Sequence, residues 1–435
     1  MRMPARVPLD QPHPAERLRE CPGCGLLQTV PPLAPGMTAQ CPRCSTTLER
    51  ATRHPIDYSV ALNVTALVLL VIMCSTTLMT VQKAGISLSA RLFSGPAELV
   101  RRDMAELAVA VLFVTVVAPL LKLLGTLYVL LRLREATPPR HLSRVFALVE
   151  RLGPWSMIEV FVFGVFVAYV KLGDLVTITL DIGVYALLAL TMVLIWADSA
   201  LDREAIWDRL DRRRSAQRSH TSPGRPAVEV AGCEICGLVS GVDDPMEAGT
   251  RHCCPRCGSA LHPRKPDSVA RTWALVIAAV ALYIPANYFP VLTVMQLGAG
   301  APSTILGGVE ELVASRMYPL AALVFFASIA VPMLKLVGLS VMLVATQTGR
   351  TGWLRDRTRL HHVVRWIGRW SMIDIFMEAL LGALVKFGSV VTIEPGIGAV
   401  AFCGVVILTM FAAETFDPRL MWDAAGRQAV SPATA

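Results

Sequence analysis

The segment VALNVTALVLLVIMCSTTLMTV, residues 60–81, runs for 22 residues without a charged side chain. A helix needs about 20 apolar residues to cross the hydrocarbon core of a bilayer, which is about 30 Å thick. The whole chain shares this character, because 54% of its 435 residues are hydrophobic and only 17% are charged. This composition excludes both an ordinary water-soluble enzyme and a disordered chain. The sequence therefore predicts a multi-pass membrane protein.

Apolar stretches of this kind recur along the chain, and the third, fourth and seventh are near the lower limit of length for a span. The eight predicted spans cover residues 60–81, 104–131, 155–170, 181–197, 272–294, 317–345, 370–385 and 396–413. An even number of spans places both ends of the chain on the same side of the membrane. Prolines and arginines interrupt residues 1–20, so we expect no signal peptide and a cytosolic N-terminus.

The basic residues are distributed unevenly between the two sides that these spans define. Of the 41 lysines and arginines, 32 fall in the N-terminal region, the segments 132–152, 198–271 and 346–369, and the C-terminal tail. Only five fall on the opposite side. By the positive-inside rule both termini and the long central linker are cytoplasmic. Orientation thus explains the net charge of +8, and we expect no nucleic-acid partner.

The second half of the chain repeats motifs of the first half at an offset of 212 to 215 residues. Two membrane motifs, each given with its second copy, are Pro119-Leu-Leu-Lys122-Leu with Pro332-Met-Leu-Lys335-Leu, and Trp155-Ser-Met-Ile-Glu159 with Trp370-Ser-Met-Ile-Asp374. Such self-similarity predicts a tandem duplication. Because each half holds an even number of spans, the two copies are expected to be parallel rather than inverted.

Eight of the eleven cysteines form two sets of paired C-x-x-C motifs. The sets are Cys21, Cys24, Cys41 and Cys44, and Cys233, Cys236, Cys254 and Cys257. This spacing is typical of a tetrahedral four-cysteine site, and ribbons of about 30 residues need a metal as a structural staple. We expect one structural zinc in each copy. Iron fits the same ligands, whereas disulfides conflict with a reducing cytosol.

One ligand of the second set is ambiguous from the sequence. Cys253 stands directly before Cys254, and either thiol could complete the site. The Cys254-Pro-Arg-Cys257 knuckle favours Cys254.

Six regions follow from the spans and the duplication. They are an N-terminal segment with the first zinc ribbon (1–55), a four-span module (56–200), a basic flexible linker (201–228), the second ribbon (229–266), a second four-span module (267–415) and a cytoplasmic tail (416–435). The predicted fold class is an all-α polytopic membrane protein, in which each copy joins a small cytosolic zinc ribbon to a four-helix module.

Each copy carries a lysine and a carboxylate at similar depth in neighbouring spans. Lys122 and Glu159 lie roughly 15 Å and 12 Å from the cytoplasmic ends of their helices. A lone lysine at this depth would cost about 3 kcal/mol, so we expect a carboxylate partner on the next span. Lys122 is therefore predicted to pair with Glu159, and Lys335 to face Asp374 or Glu378.

Ser371, Asp374 and Glu378 share one helical stripe, which is expected to point into the bundle. Pro119 and Pro332 should open their helices locally and free a carbonyl for the same polar cluster. Three interpretations stay open for these groups. They are structural ion pairs that hold the helices in register, groups that couple protons or line a polar path, or side chains that snorkel to the interface.

The candidate residues of this polar network share a polar or ionisable side chain inside or at the end of a span. They are Lys122, Ser156, Glu159, Asn287, Lys335, Ser371, Asp374 and Glu378, with Lys171, Thr177, Lys386 and Thr392 as secondary candidates. Lys171 and Lys386 close their spans on the far side, where interfacial anchoring is the favoured interpretation.

These motifs together resemble the paraquat-inducible protein A family over residues 21 to about 415. The resemblance rests on the two ribbons each followed by four spans, on the repeated membrane motifs, and on Ile284-Pro-Ala-Asn287. It implies an inner-membrane protein of Gram-negative bacteria with tetraspanin-like modules. It also implies a periplasmic MCE-domain partner whose stacked rings bridge the periplasm and a role in moving lipids between the two membranes. The Pro-Ala-Asn element is absent from copy one, where Ile72-Met-Cys-Ser75 stands instead.

The predicted function is a non-enzymatic subunit that passes membrane lipids to or from such a periplasmic MCE tunnel and supports envelope integrity. The alternative is a self-sufficient proton-coupled transporter or efflux protein, in which the buried charges are the coupling site. A membrane redox protein is disfavoured, because all eight histidines lie outside the predicted spans. No Walker A motif is present, so energy would come from a partner or the proton gradient.

Overall fold

The computed structural model describes residues 17–52, 56–83, 86–135, 139, 141–173, 177–218, 229–242, 252–296, 299–384 and 391–430. Over these residues the protein is mostly helical. Short hairpins form two ribbons at one face of the helical region, and two small sheets lie at the other. We refer to these as the ribbon face and the sheet face.

The first half consists of a ribbon followed by a helical module. The ribbon contains strands β1 (Arg17–Glu20), β2 (Leu27–Val30), β3 (Thr38–Gln40) and β4 (Thr47–Arg50). The module contains α1 (Ile56–Ser75), β5 (Thr77–Lys83), β6 (Ile86–Arg91), α2 (Ser94–Arg101), α3 (Ala105–Leu112), α4 (Ala118–Arg132), α5 (Leu142–Leu152), α6 (Ile158–Gly173), β7 (Thr177–Leu180), α7 (Ile182–Ala200) and α8 (Arg203–Arg218).

The second half follows the same order. Its ribbon contains β8 (Glu229–Gly232) and β9 (Val239–Val242). Its module contains α9 (Ser268–Tyr288), β10 (Leu292–Gln296), β11 (Ala299–Ser303), α10 (Ile305–Ala314), α11 (Tyr318–Phe325), α12 (Val331–Gln347), α13 (Leu354–Ile367), α14 (Ile373–Leu384), β12 (Val391–Pro395), α15 (Ile397–Thr415) and α16 (Arg419–Val430).

Seven helical segments in the described part of the chain are long and apolar enough to cross a membrane. They are Ile56–Ser75, Ala105–Arg132, Leu142–Lys171, Ile182–Ala200, Ser268–Tyr288, Tyr318–Gln347 and Ile397–Thr415. These correspond to seven of the eight predicted spans. The remaining span, 370–385, corresponds to α14, and residues 385–390 lie outside the described residues. An eighth span therefore stays a prediction.

Two antiparallel three-stranded sheets correct the prediction of an all-α fold. Their strand orders are β6-β5-β7 and β11-β10-β12. The predicted spans 60–81 and 272–294 ran past the ends of α1 and α9 into β5 and β10. Hydropathy could not separate a helix from a following apolar strand, because periodicity is ambiguous in short apolar runs.

Helix α8 corrects part of the predicted flexible linker. It extends from residue 203 to 218, and its Ile206, Trp207 and Leu210 are buried. The Trp207 ring packs on Phe146 of α5 with 4.9 Å between ring centroids. The apolar stripe of this helix thus lies against the first module, although the helix is rich in arginine.

The two spans that contain the repeated prolines open as predicted. Five-residue π-helical turns, Phe113–Val117 and Phe326–Ala330, end two residues before Pro119 and Pro332 in their helices. Proline has no N–H for the carbonyl four residues earlier, and the wider turn accommodates that missing hydrogen bond. Whether the freed carbonyls serve a polar cluster remains a prediction.

Helices α6 and α14 join the two modules. The Phe161 and Phe376 rings meet edge to face with centroids 5.4 Å apart. A Cβ atom on Gly164 would lie only 2.7 Å from Cβ of Phe376, so the glycine permits this close approach. Small residues commonly allow membrane helices to approach in this way.

We expect Gly164→Ala to lower the thermal stability of the detergent-solubilised protein. Overpacking typically costs about 1–3 kcal/mol, more than the roughly 0.5–1 kcal/mol that alanine gains over glycine in a helix. Gly153→Ala is the matched control, because nothing lies within 4 Å of a Cβ atom built there. Equal melting temperatures for the two variants would contradict close packing of α6 on α14.

Candidate functional site

The first four-cysteine set converges in space. The sulfur atoms of Cys21, Cys24, Cys41 and Cys44 all lie within 4.8 Å of one another, and the thiols are buried. Two sulfur pairs are 3.4 Å and 3.6 Å apart, close to the roughly 3.8 Å expected around a tetrahedral ion with 2.3 Å bonds. The hydrogen bond between Cys21 and Cys24 lowers the pKa of Cys21 and raises the pKa of Cys24, while burial raises both. A thiolate is the form that binds metal.

The second set has the same geometry. The sulfur atoms of Cys233, Cys236, Cys254 and Cys257 also lie within 4.8 Å of one another. The preference for Cys254 is confirmed, since Cys253 is exposed and outside the cluster. Both sets fit a tetrahedral metal ion with four thiolates, which leaves no open position for a water molecule. The identity of the metal stays a prediction.

Each ribbon packs on the module of the other copy. The first cysteine cluster shares a hydrophobic core with residues of α9, α12, α13 and α16 in the second module. The Arg43 guanidinium lies over the Trp422 ring, 4.3 Å from its centroid, and Arg355 donates a hydrogen bond to Ser45.

The second ribbon, conversely, packs on the first module. Its cysteines share a core with residues of α4, α5 and α8 in the first module. Arg256 of this ribbon pairs with Asp208 and Asp211 of α8 at 3.4 Å and 3.1 Å. The arrangement interlocks the two halves, because the apolar core of each ribbon lies on the module of the other half. Ion pairs of Arg17 and Arg19 with Asp208 and Glu204 also connect the first ribbon to α8.

A buried arginine connects this crossing to the end of the membrane region. Arg419, at the start of α16, pairs with Glu20 of the first ribbon at 3.0 Å and with Glu234 of the second at 3.1 Å. It also contacts Asp417 at 2.9 Å. Burial would raise the pKa of Asp417, but the hydrogen bond and charge of Arg419 outweigh it and hold the pKa below its usual range. Asp417 therefore stays ionised and fixes Arg419 between the ribbons.

The structure places Lys335 away from its predicted carboxylate partners. Its side chain is buried, with 1% of its surface exposed, and Nζ donates to Thr409 Oγ1 of α15 at 2.7 Å. The prediction that Lys335 faces Asp374 or Glu378 is therefore wrong. Matching depth did not fix the rotation of the helices, and α12 turns this lysine toward α15.

Asp374 and Glu378 line a separate cavity near the sheet face. Both carboxylates are buried, and Asp374 has no hydrogen-bond partner for either oxygen among the described residues. Oε2 of Glu378 also lacks a described partner. The cavity, of about 40 Å³, is also lined by Ser328 and by Lys171 of the first module. Lys171, expected to be an interfacial anchor, thus lies at the same cavity as carboxylates of the other copy.

The predicted pair of copy one is also wrong. Lys122 Nζ contacts Asp198 at the end of α7, with an N–O distance of 2.7 Å. Glu159 instead accepts from Arg369 of the second copy at 3.4 Å. Copy one therefore has both of its charges paired.

The remaining candidates make local contacts or lie outside the description. Ser156 is buried, Ser371 donates to the Gly368 carbonyl, and Asn287 donates to the carbonyl of Tyr283 in its own helix. Thr177 donates to the Gln82 carbonyl within its sheet. Thr392 lies in β12, opposite Met295 of β10, and Lys386 lies outside the described residues.

Four polar residues of these contacts were missed by the sequence reasoning. They are Asp198, Ser328, Arg369 and Thr409. Ser328 and Thr409 are hydroxyl residues within apolar spans, and this position is the sequence signal that could have identified them. Asp198 and Arg369 stand just outside the predicted spans, so they were counted as loop charges.

We expect each metal centre to stabilise the module on which its ribbon packs. Cys44→Ser and Cys257→Ser should each remove one bound metal ion, since metal binding supplies folding energy to ribbons this small. Proteolysis should then increase in residues 348–357 for Cys44→Ser and in residues 203–218 for Cys257→Ser. Cys253→Ser, the matched control, should keep both metals and the wild-type digestion pattern. Cleavage confined to the module that follows the mutated ribbon in sequence would contradict the crossed packing.

In a comparison with known protein families, one family matches two separate stretches of the chain. The family described as paraquat-inducible protein A matches residues 56–211 and again residues 269–426. The chain is 34% identical over 416 residues to the intermembrane transport protein PqiA of Escherichia coli K12, covering 94% of this chain and 97% of that protein. A comparison with solved structures finds no match.

Two further relatives are more distant. The lipophilic envelope-spanning tunnel protein A of Escherichia coli K12 is 30% identical over 407 residues, which cover 93% of this chain and 91% of that protein. A probable intermembrane transport protein of Haemophilus influenzae is 26% identical over 411 residues, 94% of this chain and 96% of its own length. Two of these three relatives are named as intermembrane transport proteins and one as an envelope-spanning tunnel protein, which is consistent with a protein that is not an enzyme. The multiple apolar helices, the two four-cysteine clusters and these similarities together establish that the chain is a multi-pass membrane protein of the paraquat-inducible protein A family.

Proposed function

We propose that this protein is the inner-membrane subunit of an intermembrane lipid-transport system. In this proposal it passes lipid to or from a periplasmic MCE-domain tunnel and supports envelope integrity. The near full-length similarity to an intermembrane transport protein and to an envelope-spanning tunnel protein is the observation that carries it. The apolar fold with a polar cavity between its modules is compatible with a lipophilic cargo.

The proposed topology is a parallel tandem duplication with eight spans and both termini in the cytoplasm. The repeated element order and the two separate family matches support the duplication. The basic residues concentrate at the ribbon face, which supports a cytoplasmic location for that face. The sheet face, with β5–β7 and β10–β12, would then point to the periplasm and the partner.

The two metal centres are proposed to hold zinc and to act structurally. Four thiolates that can surround one ion tetrahedrally fill all four coordination positions of a structural zinc. A reducing cytosol would keep the thiols available for the ion. Their crossed packing gives each ion a role in stabilising the membrane module that its ribbon covers.

The second module is proposed to provide the polar path. Buried carboxylates are costly inside a membrane and mark their positions as candidates for function. Both oxygens of Asp374 and Oε2 of Glu378 lack a described hydrogen-bond partner. Asp374 and Glu378 face the cavity at the sheet face, close to where cargo would meet a periplasmic partner. The paired charges of copy one, Lys122 with Asp198 and Glu159 with Arg369, are proposed to be structural.

The same carboxylates favour proton coupling as a second candidate. Unpaired buried acids can exchange protons, and transporters use Asp and Glu in this way. A lone proton-coupled transporter would need no MCE-domain protein. Activity that depends on an adjacent MCE-domain gene would therefore separate the subunit from that alternative.

We expect Asp374→Asn to retain wild-type abundance and to lose complementation of an envelope defect. The amide preserves shape and hydrogen bonding but carries neither the charge nor an exchangeable acid proton. Glu159→Gln is the control in copy one, and we expect it to have the smaller effect on complementation. Full complementation by Asp374→Asn at wild-type abundance would reject a functional role for the carboxylate and leave a packing role.

A further inference from the structure

An apolar groove separates the two modules within the membrane region. It has a volume of about 750 Å³. Val109 and Phe113 of the first module form one side, and Ile407 and Met410 of α15 form the other. It continues from Glu106, near the sheet face, toward Trp155 at the ribbon face. Volumes of this order accommodate small ligands, and its walls have almost no polar groups.

Aromatic side chains close the groove toward the ribbon face. The Trp155 ring lies between Phe113 and Phe411, with centroid distances of 6.1 Å and 5.1 Å. Aromatic rings of this kind stand at the boundary between apolar and polar surroundings. The same tryptophan also lines the large polar space between the ribbons.

A basic cavity begins where the groove ends. It has a volume of about 450 Å³, and Met410 lines both spaces. Its lining includes five basic and three acidic side chains. At its deep end is Lys335, roughly 18 Å from the ribbon-face end of α12 at 1.5 Å per residue.

Ion pairs leave two cations of this cavity available. Lys122 pairs with Asp198, Arg203 with Glu150, and Arg369 with Glu159. Lys335, by contrast, binds the neutral Thr409 hydroxyl. Arg365 lines the cavity from α13 and makes no ion pair among the described residues, although the charge of Glu414, which also lines the cavity, interacts with it. Because the cations of the lining outnumber its carboxylates, an anion would complement Lys335 and Arg365.

We propose that the groove and the basic cavity together bind one phospholipid, with its acyl chains in the groove and its phosphate in the cavity. This inference rests on the proposed function in lipid transport and assigns a site to it. A phospholipid joins a negatively charged phosphodiester to apolar acyl chains. The basic cavity and the apolar groove adjoin at Met410 in the same order. An apolar helix of a partner protein could fill the groove, but it would leave the cations without a counter-charge.

The test uses the purified full-length protein in nanodiscs that contain phosphatidylglycerol with a photoreactive acyl chain. We expect the lipid to label residues 105–114 and 405–411, as mapped by mass spectrometry. Val109→Trp should block that labelling, because Val109 is 66% exposed on the groove wall. Val71→Trp is the matched control, since Val71 is 57% exposed on α1 and lines none of these spaces.

A second pair of variants tests the basic cavity, where the phosphate of the lipid is proposed to bind. Arg365→Gln should weaken groove labelling by about tenfold, the loss expected for one charge-assisted hydrogen bond. Arg359→Gln on the same helix is the control, because Arg359 pairs with Asp356 and lies away from the cavity. A diacylglycerol probe without phosphate should label the groove weakly and without sensitivity to Arg365.

Three results would overturn the site. The first is equal labelling of the groove and of the exposed face of α1, which indicates boundary lipid only. The second is displacement of the probe by an apolar helix with no effect of Arg365→Gln, which indicates a protein occupant. The third is full complementation by Val109→Trp although its groove is blocked. Groove labelling without delivery of lipid to a partner would instead reject the transport function and leave the binding site standing.

Discussion

The cost of placing charge in a bilayer constrains where the ionisable side chains of this protein can lie. Lys122 forms an ion pair with Asp198 at the end of α7, and Lys335 donates a hydrogen bond to the Thr409 hydroxyl beside the basic cavity. Both oxygens of Asp374 and Oε2 of Glu378 keep no described hydrogen-bond partner, and the two carboxylates face a cavity shared with Lys171. Lys122 and Glu159 of the first half are thus paired, whereas the second half retains polar groups available for cargo or protons.

A second constraint acts at the ribbon face. A ribbon of about 30 residues buries too little apolar surface to be stable alone, and here each ribbon gains a core from the other copy's module. Arg419 links both ribbons to the end of the last span. The two copies are consequently interlocked at one face and joined through α6 and α14 within the membrane. Such coupling would transmit a change in one module to the other.

Local sequence patterns predicted much of this fold, but they did not predict how the helices are rotated or which distant segments contact each other. Seven span positions and both four-cysteine clusters follow from hydropathy and C-x-x-C spacing, which depend on nearby residues alone. The Lys122–Glu159 and Lys335–Asp374 pairs were wrong because depth along a helix says nothing of its rotation. The sheets were missed since strands such as Thr77–Lys83 continue an apolar run. The packing of the first ribbon on the second module depends on contacts more than 200 residues apart, such as Arg355 with Ser45, which no local pattern encodes.

The central claim is that this protein exchanges lipid with a partner across the envelope and does not act alone. The most direct measurement places the protein in vesicles with a labelled phospholipid and follows the label onto a soluble MCE-domain protein encoded beside it. The account predicts that label reaches the MCE-domain protein only when this protein is present with its second-module carboxylates intact. Label arriving equally without this protein, or transport of protons or solutes by this protein with no partner present, would contradict the account.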